Sequence, residues 1–202
     1  MQMTFSKLIA AAVLTATFAI GSAAPAQAAP TVQVAGGATV VKLDTGFLDA
    51  LEMLNVDLSA QRPGWVFGRF GVFRIPAGAL DAGTNAGDIF HTGGLGLTAG
   101  TTTVTLLNFI IDTTSLVADE PRPILTGIVV VNGDTVGRVP LFDLALNQAP
   151  SIKGRKISIS HVDVTLSEEA AGALNGIFGV DAFMAGLPIG TARVNTRILR
   201  SH

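Results

Sequence analysis

The chain has no cysteine, no tyrosine and a single tryptophan, and Lys, Arg, Asp and Glu together make up only 14% of its 202 residues, against roughly 25% in an average globular chain. Each shortage excludes a chemistry. Without cysteine there is no disulfide, no zinc–thiolate centre and no thiol catalysis. Without tyrosine there is no phenolate ligand. With 13 Lys and Arg against 15 Asp and Glu, the formal net charge is −2. No cationic excess is available to release counterions from phosphates, so nucleic acid is not an expected partner. Hydrophobic residues at 49% exclude a disordered chain. Glycine, by contrast, is abundant at 23 residues, which points to many turns.

Lys7 precedes an apolar run from Leu8 to Ile20 broken only by Thr15 and Thr17, and Ala26-Gln27-Ala28 supplies an A-x-A cleavage site. This is the layout of a secretory signal. The expectation is a signal over 1–28 and a single β-rich domain over 29–202, secreted or held in the periplasm or cell envelope. The apolar run is short of the ~20 residues a stable span needs, and no second candidate follows. No transmembrane segment is therefore expected after signal removal. One tryptophan and no tyrosine cannot build the two aromatic girdles of an outer-membrane barrel.

Downstream, strand patterns dominate. Thr31 to Leu43 reads as a strand pair or one bent strand broken at Gly36-Gly37, and Thr45 caps a short helix with Phe47, Leu48, Leu51 and Leu54 on one face. Trp65 to Ile75 alternates as a strand, and Pro76 to Asp88 carries turn chemistry throughout. Ile89 to Ile111 is β again, with a turn at Thr98 to Gly100. Ile124 to Val131 and Thr135 to Leu146 flank Asn132-Gly133 or Gly133-Asp134, the strongest hairpin signal in the chain. A further strand runs over Lys156 to Thr165. A second helix starts at a capping box over Thr165 to Glu168 and stops at Gly179, and Ile189 to Leu199 closes the chain. About nine to eleven short strands with two or three short helices give a mainly β fold, an antiparallel β-sandwich or barrel-like structure.

Few residues point to chemistry. His91 and His161 are the histidines inside the fold, and their separation matches no metal motif, since zinc takes four ligands. Asp81, Gly83, Asn85, Gly87 and Asp88 echo a calcium loop but lack its closing bidentate Glu, so a glycine-rich loop tip is the expectation. No serine sits in a nucleophile elbow. Gly93-Gly94-Leu95-Gly96 leads into strand rather than helix, so it lacks the helix N-terminus that holds a phosphate. Lys153-Gly154-Arg155-Lys156 has no interleaved aromatics and reads as a solvated hairpin turn. No metal site is expected.

Several segments together resemble the HtaA-type, or haem-transport-associated, domain of exported bacterial proteins: Phe73 to Asp81 (Phe-Arg-Ile-Pro-Ala-Gly-Ala-Leu-Asp), Phe90 to Leu97 (Phe-His-Thr-Gly-Gly-Leu-Gly-Leu), Leu106 to Asp112, Leu166 to Asn175, and the tail Phe183 to Ala192. The resemblance spans roughly Val66 to Asn175. It implies a β-rich exported domain in which tyrosines, supported by a histidine of the H-x-G-G segment, hold haem. Of that ligand set only His91 is present here. With no tyrosine, tyrosinate ligation is impossible. A haem would fall to His91 or His161, with Met53 or Met184 opposite.

The sequence thus favours an exported, non-catalytic β-sandwich protein of the bacterial envelope or extracellular space, acting as a binding, adhesion or structural module without a cofactor, its partner unidentified. Haem or a small hydrophobic ligand, held near His91, is the alternative. A hydrolase is a second alternative, and it requires a pocket that brings Ser or carboxylates to a histidine.

Overall fold

The computed structural model describes residues 30–114, 116–117 and 120–200, and the expected signal over 1–28 lies outside them. The elements in order are β1 (Thr31–Leu43), α1 (Thr45–Met53), β2 (Asp57–Gln61), β3 (Trp65–Phe67), β4 (Phe70–Asp81), β5 (Gly87–Thr92), β6 (Gly94–Ala99), β7 (Thr102–Asp112), β8 (Leu116–Val117), β9 (Glu120–Pro121), β10 (Ile124–Val131), β11 (Asp134–Leu146), β12 (Ser151–Lys153), β13 (Lys156–Leu166), α2 (Glu168–Phe178) and β14 (Pro188–Ile198). Neighbouring strands pair in the order β10-β11-β13-β14-β1-β4-β5-β7, and β7 pairs back onto β10. The main sheet therefore closes on itself as an antiparallel barrel of eight strands, a size at which side chains alone fill the interior. Closure removes the open edges of the ring itself, and the short β2, β3 and β12 remain outside it as edge strands. The whole ring lies between Thr31 and Ile198.

Alternation builds the core. Val34, Ile75, Ile89, Val104 and Val194 are each at most 2% exposed and point into the lumen from five different strands. Phe73 and Phe109 meet edge to face across it, ring centroids 5.1 Å apart, a favoured aromatic geometry.

Several local elements differ from the sequence expectation, each for a visible reason. β1 is one continuous strand, and Gly36-Gly37 is a bulge within its ladder to β14. Asp44, not Thr45, caps α1, its Oδ1 accepting from Gly46 N at 2.8 Å. The expected single strand over Trp65 to Ile75 is a hairpin, β3 and β4, turning at Gly68 with φ +55. β4 then runs through Pro76 to Asp81, where a connection was expected, because a register shift between Arg74 and Ala77 accommodates the missing N–H. Only residues 82–86 form the turn. Asn132 and Gly133 adopt φ +52 and +96, both left-handed, as a type I′ hairpin requires.

Ser167, rather than Thr165, caps α2, and Gly179 ends the helix in the left-handed conformation at φ +66. The Ser167 hydroxyl accepts from Ala170 N and donates to the Pro140 carbonyl, both at 3.1 Å, so it ties the helix start to β11. Ser167→Ala should cost about 1–2 kcal/mol, read as a lowered midpoint of denaturant unfolding.

Candidate functional site

β5 and β6 are one strand interrupted at Thr92-Gly93. Both pair with the same edge of β7, but the partner on their other side changes from β4 to β2 at that point. His91 is the last inward residue before the change. It is 4% exposed. Its Nδ1 lies 3.3 Å from the Phe109 carbonyl and its Nε2 2.7 Å from Thr39 Oγ1. A carbonyl only accepts, so Nδ1 carries the proton, and Nε2 accepts from the Thr39 hydroxyl. Burial pushes the His91 imidazole down to about 4, against smaller opposing contributions from the Phe109 and Ile89 backbone. It is neutral at pH 7, and both ring nitrogens are occupied.

The lumen around His91 is apolar apart from Thr39 and holds about 50 Å³ of free space, room for a water or two. His161 occupies the opposite wall. Three strands separate β13 from β5 in either direction round the ring. His161 sits at φ +56 in a bulge between Ile159 and Val162 and is exposed to solvent. One imidazole points inward and the other outward, so the two do not converge. Met53 and Met184 are 78% and 66% exposed, and neither faces His91 in the lumen. An iron ligated by His91 would have to displace Thr39 and a layer of core side chains.

The other sequence candidates resolve into local structure. Asp81 Oδ1 accepts from Gly83 N, Thr84 N and Thr84 Oγ1 at 2.7–2.9 Å, and these bonds hold its carboxyl below the usual carboxylate range. The calcium-like segment is thus a self-satisfied turn. Among the described residues, no three His, Asp or Glu side chains gather as a metal set, and no serine is hydrogen-bonded to a histidine ring.

The feature that sequence reading did not locate is the helix-capped end of the barrel. α1 and α2 lie over a crevice whose lining is apolar throughout, including Leu58 of β2, Leu97 of β6, Val139 of β11 and Ala170, Leu174 and Ile177 of α2. It holds about 50 Å³ of free space and is continuous with the lumen, since Leu95, Phe142 and Ile189 line both. The spacing of Leu174 and Ile177 shows that α2 has an apolar face, but only tertiary structure shows that this face closes a mouth.

Neither a protein-family model nor a curated protein matches the chain. Solved structures do. The C-terminal domain of HtaA from Corynebacterium glutamicum superposes with a TM-score of 0.63 at 17% identity, covering 83% of this chain and 99% of that one. A domain-swapped dimeric variant of the same domain gives 0.52 at 19% identity, over 77% and 91%. The heme binding protein HtaB of the same organism gives 0.52 at 10% identity, over 84% and 96%. The HtaA-type fold that the motifs suggested is borne out, and at these identities the likeness speaks to the fold.

Proposed function

We propose that this chain is an exported, non-enzymatic binding protein that takes up haem or a comparably flat apolar molecule in the crevice beneath α2, without iron ligation by His91. The observation that carries the reading is the crevice itself, an apolar mouth at the end of a barrel whose lumen is also apolar. Shared fold with HtaB, a heme binding protein, supports a ligand-binding role over a purely adhesive or structural one. The signal-like segment before Ala29 supports export.

The crevice as it stands is smaller than the 300–1,000 Å³ of a typical ligand pocket, so uptake requires α2 to lift. α2 is built to be a weak closure. It carries Gly172 and Gly176 inside nine Glu, Ala, Leu, Asn, Ile and Phe positions, and each interior glycine lowers helix stability by about 0.5–1 kcal/mol relative to alanine. A Cβ at either position would meet nothing within 4 Å, so packing does not explain them.

The test titrates haemin and iron-free protoporphyrin IX separately into the chain from Ala29 onward, which contains the whole barrel. Both should bind saturably, one to one and with similar affinity, followed by Soret absorbance and by porphyrin fluorescence. The variant Gly172→Ala with Gly176→Ala should be more stable by about 1–2 kcal/mol and bind both more weakly. If neither porphyrin binds, the reading falls. Binding of haemin alone would show that an iron ligand carries the affinity, and would overturn the His91-independent mode.

A further inference from the structure

Cross-strand register lays the outer wall of β12, β13, β14, β1, β4 and β3 out in rows. The first row runs Lys153, Lys156, Arg197, and the second Ser151, Ser158, Asn195, Ala38, Arg74. A third holds Arg193, Val40, Val72, Trp65, and a fourth Asp163, Thr191, Lys42, Phe70, Phe67. Six cations stand on this wall, and Asp163, at its far end, is the one acid in these rows. Directly opposed like charges such as Lys153 with Lys156 and Lys156 with Arg197 are destabilising in a sheet. Among the described residues none of the six is held in an ion pair. A chain of net charge −2 has thus gathered uncompensated positive charge on a single face.

The same wall ends in exposed aromatics. Phe67, Phe70 and Trp65 are 82%, 46% and 44% exposed, all on the outer side of the β3–β4 hairpin, and the Arg74 guanidinium lies 5.4 Å from the Trp65 ring centroid. An open cleft of about 470 Å³ lies over Lys153, Lys156 and Arg197 but leaves Lys42, Arg74 and Arg193 outside it, so a small anion there would meet only half of the six cations. The wall as a whole can lie against an extended anionic surface. Cations alone would suit any polyanion. A phenylalanine presented at a hairpin tip suits an interface with an apolar interior behind the charge.

We infer that this wall docks the protein on an anionic lipid bilayer, with the Phe67–Phe70 tip inserted at the headgroup level and Lys42, Arg74, Arg193, Lys156 and Arg197 facing the lipid phosphates. Aromatic residues at the interface combined with basic residues over anionic lipid are the physical recipe for such binding. The assignment is independent of what the crevice beneath α2 holds.

Trp65 is the chain's single tryptophan and sits in the patch, so its emission reports docking directly. The chain from Ala29 onward, free of the apolar run over Leu8 to Ile20, is mixed with phosphatidylglycerol vesicles, with phosphatidylcholine vesicles and with soluble polyphosphate. Vesicle flotation and Trp65 emission are followed at low and at physiological salt. The expected result is flotation and a blue shift with phosphatidylglycerol only. Lys42→Glu with Arg193→Glu should lower partition by at least about twenty-fold, since each basic residue at an anionic surface is worth roughly five-fold. Phe67→Ser, at a position too exposed to affect folding, should weaken vesicle binding several-fold and leave polyphosphate binding unchanged. No flotation with phosphatidylglycerol overturns the inference. So does Phe67→Ser binding vesicles as the parent does, because the wall would then be a general polyanion surface.

Discussion

Replacing Thr39 by Val and His91 by Leu together should flatten the acid limb of this protein's stability curve. In the unfolded chain His91 titrates near 6.5, and in the barrel burial holds it down at about 4. Between those values the unfolded state binds a proton that the folded state refuses, so stability rises with pH there. The His91 contribution is complete above about 6.5, is lost as the pH falls toward about 4, and saturates below that. The interval corresponds to roughly 3 kcal/mol. Asp88 works in the opposite sense, because burial and then the Asp112 charge opposite it raise its pKa, so the informative quantity is the difference between parent and variant. Unfolding by denaturant at pH 4.5 and 7.5 should give a smaller pH effect for the double variant. Equal pH effects would show that His91 is not the acid-sensitive group.

The single variants sharpen the point. His91→Leu leaves the Thr39 hydroxyl and the Phe109 carbonyl buried without the partners they have now, which should cost about 1–3 kcal/mol at pH 7. Thr39→Val strips the donor from Nε2, with a similar cost. Replacing both with apolar groups of like volume removes the Thr39–His91 pair as a unit and leaves only the Phe109 carbonyl without its imidazole partner. The double variant should therefore be more stable at pH 7 than His91→Leu.

How far this architecture was legible depends on the range of the interaction concerned. The type I′ turn at Asn132-Gly133 and the Gly179 helix stop were readable because each is decided by one or two residues' own backbone preference. The hairpin inside Trp65 to Ile75 was not, because Gly68 and Arg69 interrupt an otherwise unbroken alternation, and it is the Arg69 guanidinium bonding to the Leu43 carbonyl, at 2.9 Å, that fastens the turn. The strand continuation through Pro76 depends on β1 and β5 pairing around it, which no local pattern reveals. His91 stood out in the sequence, yet its partner Thr39 lies 52 residues away with nothing to mark it. The cationic wall was the least legible of all. Lys42, Arg74, Arg193 and Lys156 come from four strands, and they share a face only once the register of those strands is set.

The H-x-G-G-L segment carries the largest single-site effect expected here, and its glycines explain why. A Cβ on Gly94 would stand 1.8 Å from the Leu106 carbonyl oxygen and 3.1 Å from Leu107 Cα. Both atoms belong to the β7 backbone, which cannot yield without breaking the β6–β7 ladder. Gly93, at φ +88, would place a Cβ 2.2 Å from Gly64 N, in the turn that joins β2 to β3. Here the strand passes from β4 to β2, and the β2–β6 arm so created supplies Leu58, Leu95 and Leu97 to the crevice wall. Gly94→Ala should therefore cost at least about 3 kcal/mol and abolish porphyrin uptake in whatever fraction still folds. Gly100→Ala is the matched control. Its φ of +57 is unfavourable for alanine, but nothing lies within 4 Å of the added Cβ. It should cost about 1–2 kcal/mol and leave uptake intact. Unfolding midpoints and porphyrin titrations of the two variants side by side distinguish a backbone clash from mere strain. A Gly94→Ala protein as stable as Gly100→Ala would mean that β6 can move off β7, and that the arm does not depend on this close approach.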